Sequence, residues 1–356
     1  MKRVYLLIAC ISLFYFTGIS QTKSVNIDNF WVTYSYRAQP INPMDPAFFY
    51  YFPVVNATSV VKNNVSVEEI EDAMFIRGQK RTQNPDEVSM ELILTLGNII
   101  VVSSEVSERK EESKGKDGKI TTSYYYKVNV QYNFESSGLI KWKGKDLLRI
   151  PINSRSNNLV FTSREYSSRK EAADFWNNNR DVHLSNLYRN LSLEAANTIS
   201  QTATTKYGFR GITGERVLLK TINEKKHNEN TDLRAAVQAL KDIFQATTPN
   251  DPPNRDKIDP LIRYFKSIPE RFTEPDGKAD PRLRYVAYYN LARIYLFLLD
   301  DPETAIKYAD LITANGQDVK DGAKLRKEAE ELIASFEKSG VKTRFFDPEL
   351  KFNTEQ

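Results

Sequence analysis

The stretch AYYNLARIYLFLLDDPETAIKYADLITANG, residues 287–316, decides how the second half of this chain is read. Leu283, Ala287, Leu291, Ile294 and Leu298 recur at helical spacing and define one inward face. Asp301 and Pro302 supply a cap and a first-turn proline for a second helix, which Asn315-Gly316 closes. A third helix carries Leu325, Ala329, Leu332 and Phe336 inward and ends near Gly340. Upstream, TDLRAAVQALKDIF buries Leu233, Val237, Leu240 and Phe244. After the proline-rich TTPNDPPNRD, Asp259-Pro260 is expected to start a helix over PLIRYFKSI, and TEPDGKAD to break it.

Periodicity of two governs the first half. NFWVTYSYR sets Phe30, Val32, Tyr34 and Tyr36 on one face and Trp31, Thr33 and Ser35 on the other. AFFYYFPVV is a continuous apolar run whose Pro53 belongs at an edge or a bend. Ser66 and Glu69 have capping-box spacing for a short helix. VSMELILTL alternates Val88, Met90, Leu92, Leu94 and Leu96, with a bend or bulge expected at Gly97. SYYYKVNVQYNF aligns Tyr124, Tyr126, Val128, Val130, Tyr132 and Phe134. A turn is expected at ESSG before LIKWKGKDLLRIPI. The charged SERKEESKGKDGK reads as the solvated tip of a long hairpin, either a flexible loop or an arm that touches a partner.

Helices follow the meander. Ser168 and Glu171 repeat the capping box, with Ala172, Phe175 and Trp176 inward. Leu184, Leu187, Leu191, Ala195 and Ile199 continue at helical spacing to a C-terminal cap at Gly208. RVLLKTI adds a last strand before the polar NEKKHNENT. The fold class expected is α+β: an antiparallel sheet domain with packed helices over residues 21–225, then an all-α repeat-like domain over 226–356.

The first twenty residues have the parts of a secretory signal: Lys2 and Arg3, an apolar run from Val4 to Phe16, and small residues before cleavage after Ser20. An alternative stays open, because Leu7-Ile8-Ala9-Cys10 resembles a lipobox. Lipidation of Cys10 would then give peripheral membrane association. Cys10 is the chain's single cysteine, so a chain cleaved after Ser20 has neither disulfide nor thiol nucleophile. That favours a bacterial periplasm or outer surface over an animal secretory route. Asn56, Asn64 and Asn190 are accordingly taken as chance sequons. Loss of Lys2 and Arg3 with the signal lowers the formal charge of +4 by two, which gives no case for nucleic-acid binding.

The 287–316 stretch resembles a tetratricopeptide repeat. Tyr288, Leu291-Ala292, Tyr295 and Ala305 take that family's aromatic, Leu-small, tyrosine and small-residue positions. The turn LLDDPET is one residue longer than the family spacing. The later aromatic is replaced by Ala309 or displaced to Tyr308. The resemblance covers a single unit, about 284–317. It implies that the first helix lines a concave groove, with Tyr289 and Arg293 as partner-binding positions. Arg293 would then offer charged hydrogen bonds to a carboxylate of a bound peptide.

Signals for catalysis are sparse. His183 is read as a helix-start residue and His227 as a solvated loop residue, and neither has metal-binding spacing. Gly208, Gly211 and Gly214 lack the lysine of a phosphate loop. Glu194 is one acid among apolar neighbours, and one acid is not a site. No catalytic residue, metal or cofactor is assigned, and the protein is expected not to be an enzyme. The expectation is an exported cell-envelope protein acting as a scaffold for a protein partner. The alternative is a glycan-binding module that uses the Tyr/Trp-rich sheet.

Overall fold

A computed structural model describes residues 25–272 and 280–348; the signal segment, Cys10 and most of TEPDGKAD lie outside the described residues. Among these residues the order is β1 (Ile27–Arg37), β2 (Tyr50–Ala57), α1 (Ser59–Asn64), α2 (Val67–Asp72), β3 (Lys80–Arg81), β4 (Met90–Lys114), β5 (Ile120–Trp142), β6 (Lys145–Asn153), β7 (Leu159–Thr162), α3 (Arg169–Tyr207) and β8 (Gly211–Ile222), followed by α4 (Asn230–Gln245), α5 (Arg255–Arg271), α6 (Pro281–Phe297), α7 (Pro302–Ala314) and α8 (Val319–Ser339). The chain is α+β, with a sheet-rich N-terminal region and an all-helical C-terminal region.

The compact units do not follow the cut expected near residue 225. One spans residues 40–210; the other joins the described residues up to 39 with 211–347. The reason is a strand pair: β1 lies antiparallel to β8, with Ile27 opposite Ile222 and Phe30 opposite Leu219. The N-terminal strand therefore belongs with the helices.

In the 40–210 unit the sheet order is β3-β2-β4-β5-β6, with β7 also on β5. The meander β4-β5-β6 is antiparallel, while β2 joins β4 in parallel. β3 pairs with β2 only at Tyr50 and Tyr51, so Pro53 faces an open edge where its missing N–H costs no ladder bond. Met90, Leu92, Leu94 and Leu96 are all buried, as the alternation requires. After Leu96 the register shifts at the expected bulge, and the Ile99 N–H freed there donates to the Tyr188 hydroxyl at 2.9 Å.

Two expectations for this sheet are corrected. ESSG is not a turn: residues 135–138 lie inside β5, and Ser136 and Gly138 are buried. Their small side chains make room for α3; a Cβ on Gly138 would stand 3.0 Å from Ile199 Cδ1. The turn sits at Lys143-Gly144, where both residues have positive φ, the requirement of a two-residue hairpin loop. Nor is SERKEESKGKDGK a loop. Pairing runs on to Lys114 opposite Ile120, so only residues 115–119 form the tip. The tyrosine stripe is mostly covered: Val128, Val130, Tyr132 and Phe134 are buried. Phe134 meets Tyr188 of α3 edge to face, and Tyr124 stays exposed.

α3 consists of two helical stretches joined at a kink, where Asn179 has non-helical φ and ψ. Ser168 caps it by accepting from Glu171 N–H at 3.2 Å, and Ser66 caps α2 the same way at 3.0 Å. His183 lies in the first turn of the helical stretch that follows this kink, as expected of a helix-start residue, packed against Phe161, Phe175 and Trp176. Glu194 is exposed. Ser200 and Thr204 accept from the N–H groups of Phe75 and Arg77, which satisfies the loop after α2.

Gly208 ends α3, but not through a left-handed cap: its φ is −106°. It is needed for close approach, since a Cβ would stand 2.6 Å from the Arg77 carbonyl oxygen. Gly208→Ala is expected to lower the stability of this unit by about 1–3 kcal/mol in denaturant titration, as overpacking does. A change under about 0.5 kcal/mol would show that the Arg77 loop moves aside freely.

In the other unit the cap at Asp301 is as expected, its side chain accepting from Thr304 N–H at 3.0 Å. α5 starts earlier than Asp259-Pro260; Asn254 caps it by accepting from Asp256 N–H at 2.9 Å, and Pro260 falls inside the helix. The repeat-like pair packs through Ala305 and Ala309, both buried, and Tyr308 stacks on Tyr295 with centroids 5.5 Å apart.

Candidate partner-binding site

α6 does not have the single buried face that its inward stripe suggests. Tyr285, Tyr289, Asn290 and Arg293 are buried along with Leu283, Ala287, Leu291 and Ile294, so the helix is enclosed on several sides. The face expected to line an open groove is covered by β8 and α8. Tyr289 is 2% exposed and Arg293 6%, which places both in the interior rather than on a solvated surface. Sequence spacing could not show this, because the covering elements lie far away along the chain.

The two residues nevertheless come together at a cavity. A cleft of about 730 Å³ is lined by Trp31, Tyr34 and Tyr36 of β1, residues 215–218 of β8, Tyr289, Arg293 and Phe297, and the Lys324, Glu328 and Glu331 side of α8. That volume lies in the range of ligand-sized pockets. Arg293 is held in its floor. Its Nη2 donates to the Tyr289 hydroxyl at 2.9 Å and its Nη1 to Glu328 Oε2 at 2.7 Å. The guanidinium lies over the Tyr289 and Phe297 rings, 5.1 Å from each centroid. The carboxylate expected from a bound peptide is thus supplied by Glu328 of the chain itself. Arg293 braces the cleft, and its charge is already matched.

Two further cations are fixed in the same manner. Lys220 Nζ sits 5.2 Å from the Tyr289 centroid and 3.7 Å from Asp321 Oδ2. Arg344 lies over Tyr36 and Phe297 and pairs with Asp300 at 2.7 Å. Of the cations lining the cleft, Arg293 and Arg344 each have rings and a carboxylate, Lys324 lies 3.9 Å from Glu328 and Arg216 rests over Trp31. Glu215, Asp321, Glu328 and Glu331 line it as well, so the walls carry no large field of one sign. Such a surface suits a polypeptide better than a polyanion. The signals sequence reasoning missed are Trp31, Arg216 and Leu218, which enter the cleft through the β1–β8 pairing. Alternation alone had put Trp31 on the face opposite Phe30, Val32, Tyr34 and Tyr36, and there it is 54% exposed.

Among the described residues no group of three His, Cys, Asp or Glu side chains could hold a metal ion. His227 Nδ1 accepts from Glu229 N–H at 3.1 Å, and its ring leans on Phe272. No described helix is long and apolar enough to cross a membrane.

The tyrosines of this unit confer a pH limit. Burial pushes the Tyr34 phenol well above its ordinary value of 10.0, against the lowering effect of nearby Arg344. Burial, aided by a hydrogen bond to Asp321, does the same to Tyr285. The folded state keeps these protons where the unfolded chain releases them. Their contribution is therefore complete below about pH 10 and is lost as pH rises, by about 1.4 kcal/mol per pH unit for each phenol. Tyr34→Phe should make the fall in stability above about pH 10 shallower by one phenol's share and leave its pH dependence at neutral pH unchanged. Identical alkaline slopes in the two proteins would refute this.

No protein-family model and no curated protein matches the chain. Among solved structures, it is similar to one described as a minor lipoprotein from Acinetobacter baumannii, at 12% identity over 43% of this chain and 91% of that one; the TM-score of 0.19 is too low to bear on fold or function.

Proposed function

We propose that this chain is an exported component of a bacterial cell envelope and acts without catalysis, as a scaffold that holds a protein partner in the cleft between β8 and α8. The observation that supports this is the cleft's composition. Exposed Trp31 stands at a concavity whose floor of Tyr289, Arg293 and Phe297 is braced internally and so is ready before any partner arrives. Aromatic anchors in a preformed pocket are what protein interfaces use for most of their binding energy. The glycan reading has less support, since Tyr132 and Phe134 of its aromatic stripe lie under α3.

The test is a mild-crosslinking pull-down of the mature protein from the envelope of its own cell. The comparison is a Trp31→Ala/Lys324→Glu variant, in which both altered side chains line the cleft and are exposed. One or a few envelope proteins should be recovered with the wild type and fall at least about tenfold with the variant, the loss expected for an aromatic anchor. Equal recovery with both proteins would sink the reading. Retention of residues 40–210 alone on polysaccharide would favour the glycan module instead.

A further inference from the structure

Among the described residues β8 has a ladder on one side only. Opposite β1 it pairs Leu219 with Phe30, Leu218 with Trp31, Val217 with Val32 and Arg216 with Thr33. In an antiparallel pair, residues alternate between those bonded to the partner strand and those whose N–H and C=O point away from it. Lys220 sets the parity. Its N–H donates to Asn290 Oδ1 at 2.9 Å and its carbonyl accepts from Asn290 Nδ2 at 2.8 Å. Ile222 keeps the alternation, its carbonyl accepting from Asn230 Nδ2 at 3.3 Å. Leu218 and Arg216 therefore turn their main-chain groups the same way.

That side is the cleft. Residues 215–218 line it in unbroken succession, which a strand can do only along its edge, since its two faces show alternate residues. Among the described residues nothing bonds to the outward N–H and C=O of Leu218 and Arg216. The outer edge of β1 differs: Ser35 N–H donates to Thr247 Oγ1 at 2.7 Å and Arg37 N–H to the Arg344 carbonyl at 2.8 Å.

We propose that the open edge of β8 at Arg216 and Leu218 takes up an extended segment of the partner polypeptide as an added strand. This inference rests on the cleft being the partner site. The Asn290 amide already occupies the next position of that edge, with the two bonds a strand residue would make. It marks where the row of peptide groups continues. An added strand would place alternate side chains toward Tyr34, Tyr289 and Phe297 on the core side, and the others toward Trp31 and Arg216 on the exposed side. The occupant is accordingly a segment in which apolar residues alternate with polar or acidic ones. Arg216 favours the acidic choice.

The test uses the full mature chain and a displayed library of linear peptides of about ten residues, long enough for one strand. Enriched peptides should alternate as stated, and on binding they should slow hydrogen exchange at the Arg216 and Leu218 amides. Leu218→Pro removes one outward N–H and spares the β1 ladder, so it should weaken the selected peptides at least about tenfold. Leu218→Ala, which keeps that N–H and gives up only side-chain contact in the cleft, should weaken binding several-fold less than Leu218→Pro, and equal losses in the two would overturn the proposal. N-methylation of the peptide at alternate positions should abolish binding in one register only, and this arm needs no protein variant to fold. No enrichment, or unaltered binding by Leu218→Pro, would overturn the proposal. A solution dimer that protects β8 would overturn it too, in favour of self-pairing. The envelope pull-down separates the two readings. A partner lost with Trp31→Ala/Lys324→Glu but kept with Leu218→Pro leaves the scaffold function standing and removes strand addition. A partner kept with both variants removes both.

Discussion

Arg344→Ala is expected to destabilise the unit formed by residues 25–39 and 211–347 by about 3–5 kcal/mol, the usual result of stripping one member from a buried ion pair. Arg344 and Asp300 side chains are 7% and 4% exposed. Asp300 accepts from Arg344 Nε at 2.7 Å and from the Thr343 hydroxyl at 3.2 Å, so it clasps the segment that follows α8. Arg344 Nη2 also donates to the Leu296 carbonyl, one of the last-turn groups of α6 that have no partner within the helix. The truncation would leave the buried Asp300 carboxylate without its cationic partner, held only by the Thr343 hydroxyl and the main-chain N–H of position 344, and would leave the Leu296 carbonyl without its donor. It would also uncover Tyr36 and Phe297, on which the guanidinium rests. Denaturant titration followed separately for each unit checks this, because residues 40–210 form their own compact body and their transition should not move. Arg344→Met combined with Asp300→Asn removes both charges, and asparagine tolerates the positive φ of 49° at that position. The pair should recover half or more of the loss. A single-variant cost below about 1 kcal/mol would mean that water reaches Asp300.

Asn290→Leu should cost about 2–4 kcal/mol, since it keeps the shape of the side chain and orphans both main-chain groups of Lys220. Asn290 is fully buried and can find no substitute solvent bond for its partners. Asn290→Asp should fall between the two, because a carboxylate can still accept from the Lys220 N–H but has nothing to donate to its carbonyl. Unfolding titrations rank the three proteins, and exchange at the Lys220 amide reports the local event. Equal stability of the leucine and wild-type proteins would mean that the amide bridge is dispensable. The Asn290 amide bonds Lys220 and not the residues before it, so peptide binding at Arg216 and Leu218 should survive the substitution.

Local order was legible wherever its cause lies within a few residues. The caps at Ser66, Ser168 and Asp301 work because an oxygen reaches an N–H two or three positions on. Met90 through Leu96 announce a one-sided strand through their period of two, and Gly97 marks its bulge. ESSG misled because its composition is that of a turn. What its small residues serve is the passage of α3, an element whose nearness no local pattern reports. The hairpin tip misled for the opposite reason: a charged ribbon exposed on both faces has no apolar period to betray its ladder.

By itself the sequence determined the α+β class, the helix pair around Asp301 and the alternation of the long strands, because propensity, capping and periodicity act over short distances. Tyr289 and Arg293 were singled out as groove positions only through the resemblance to a tetratricopeptide repeat. Only the tertiary structure decided that β1 pairs with β8 and belongs with the helices, that α6 is enclosed, and that Arg293 already has its carboxylate in Glu328. Those outcomes depend on hydrogen bonds and burial between segments distant in the chain, where one strand edge can choose among many partners and spacing alone carries no preference.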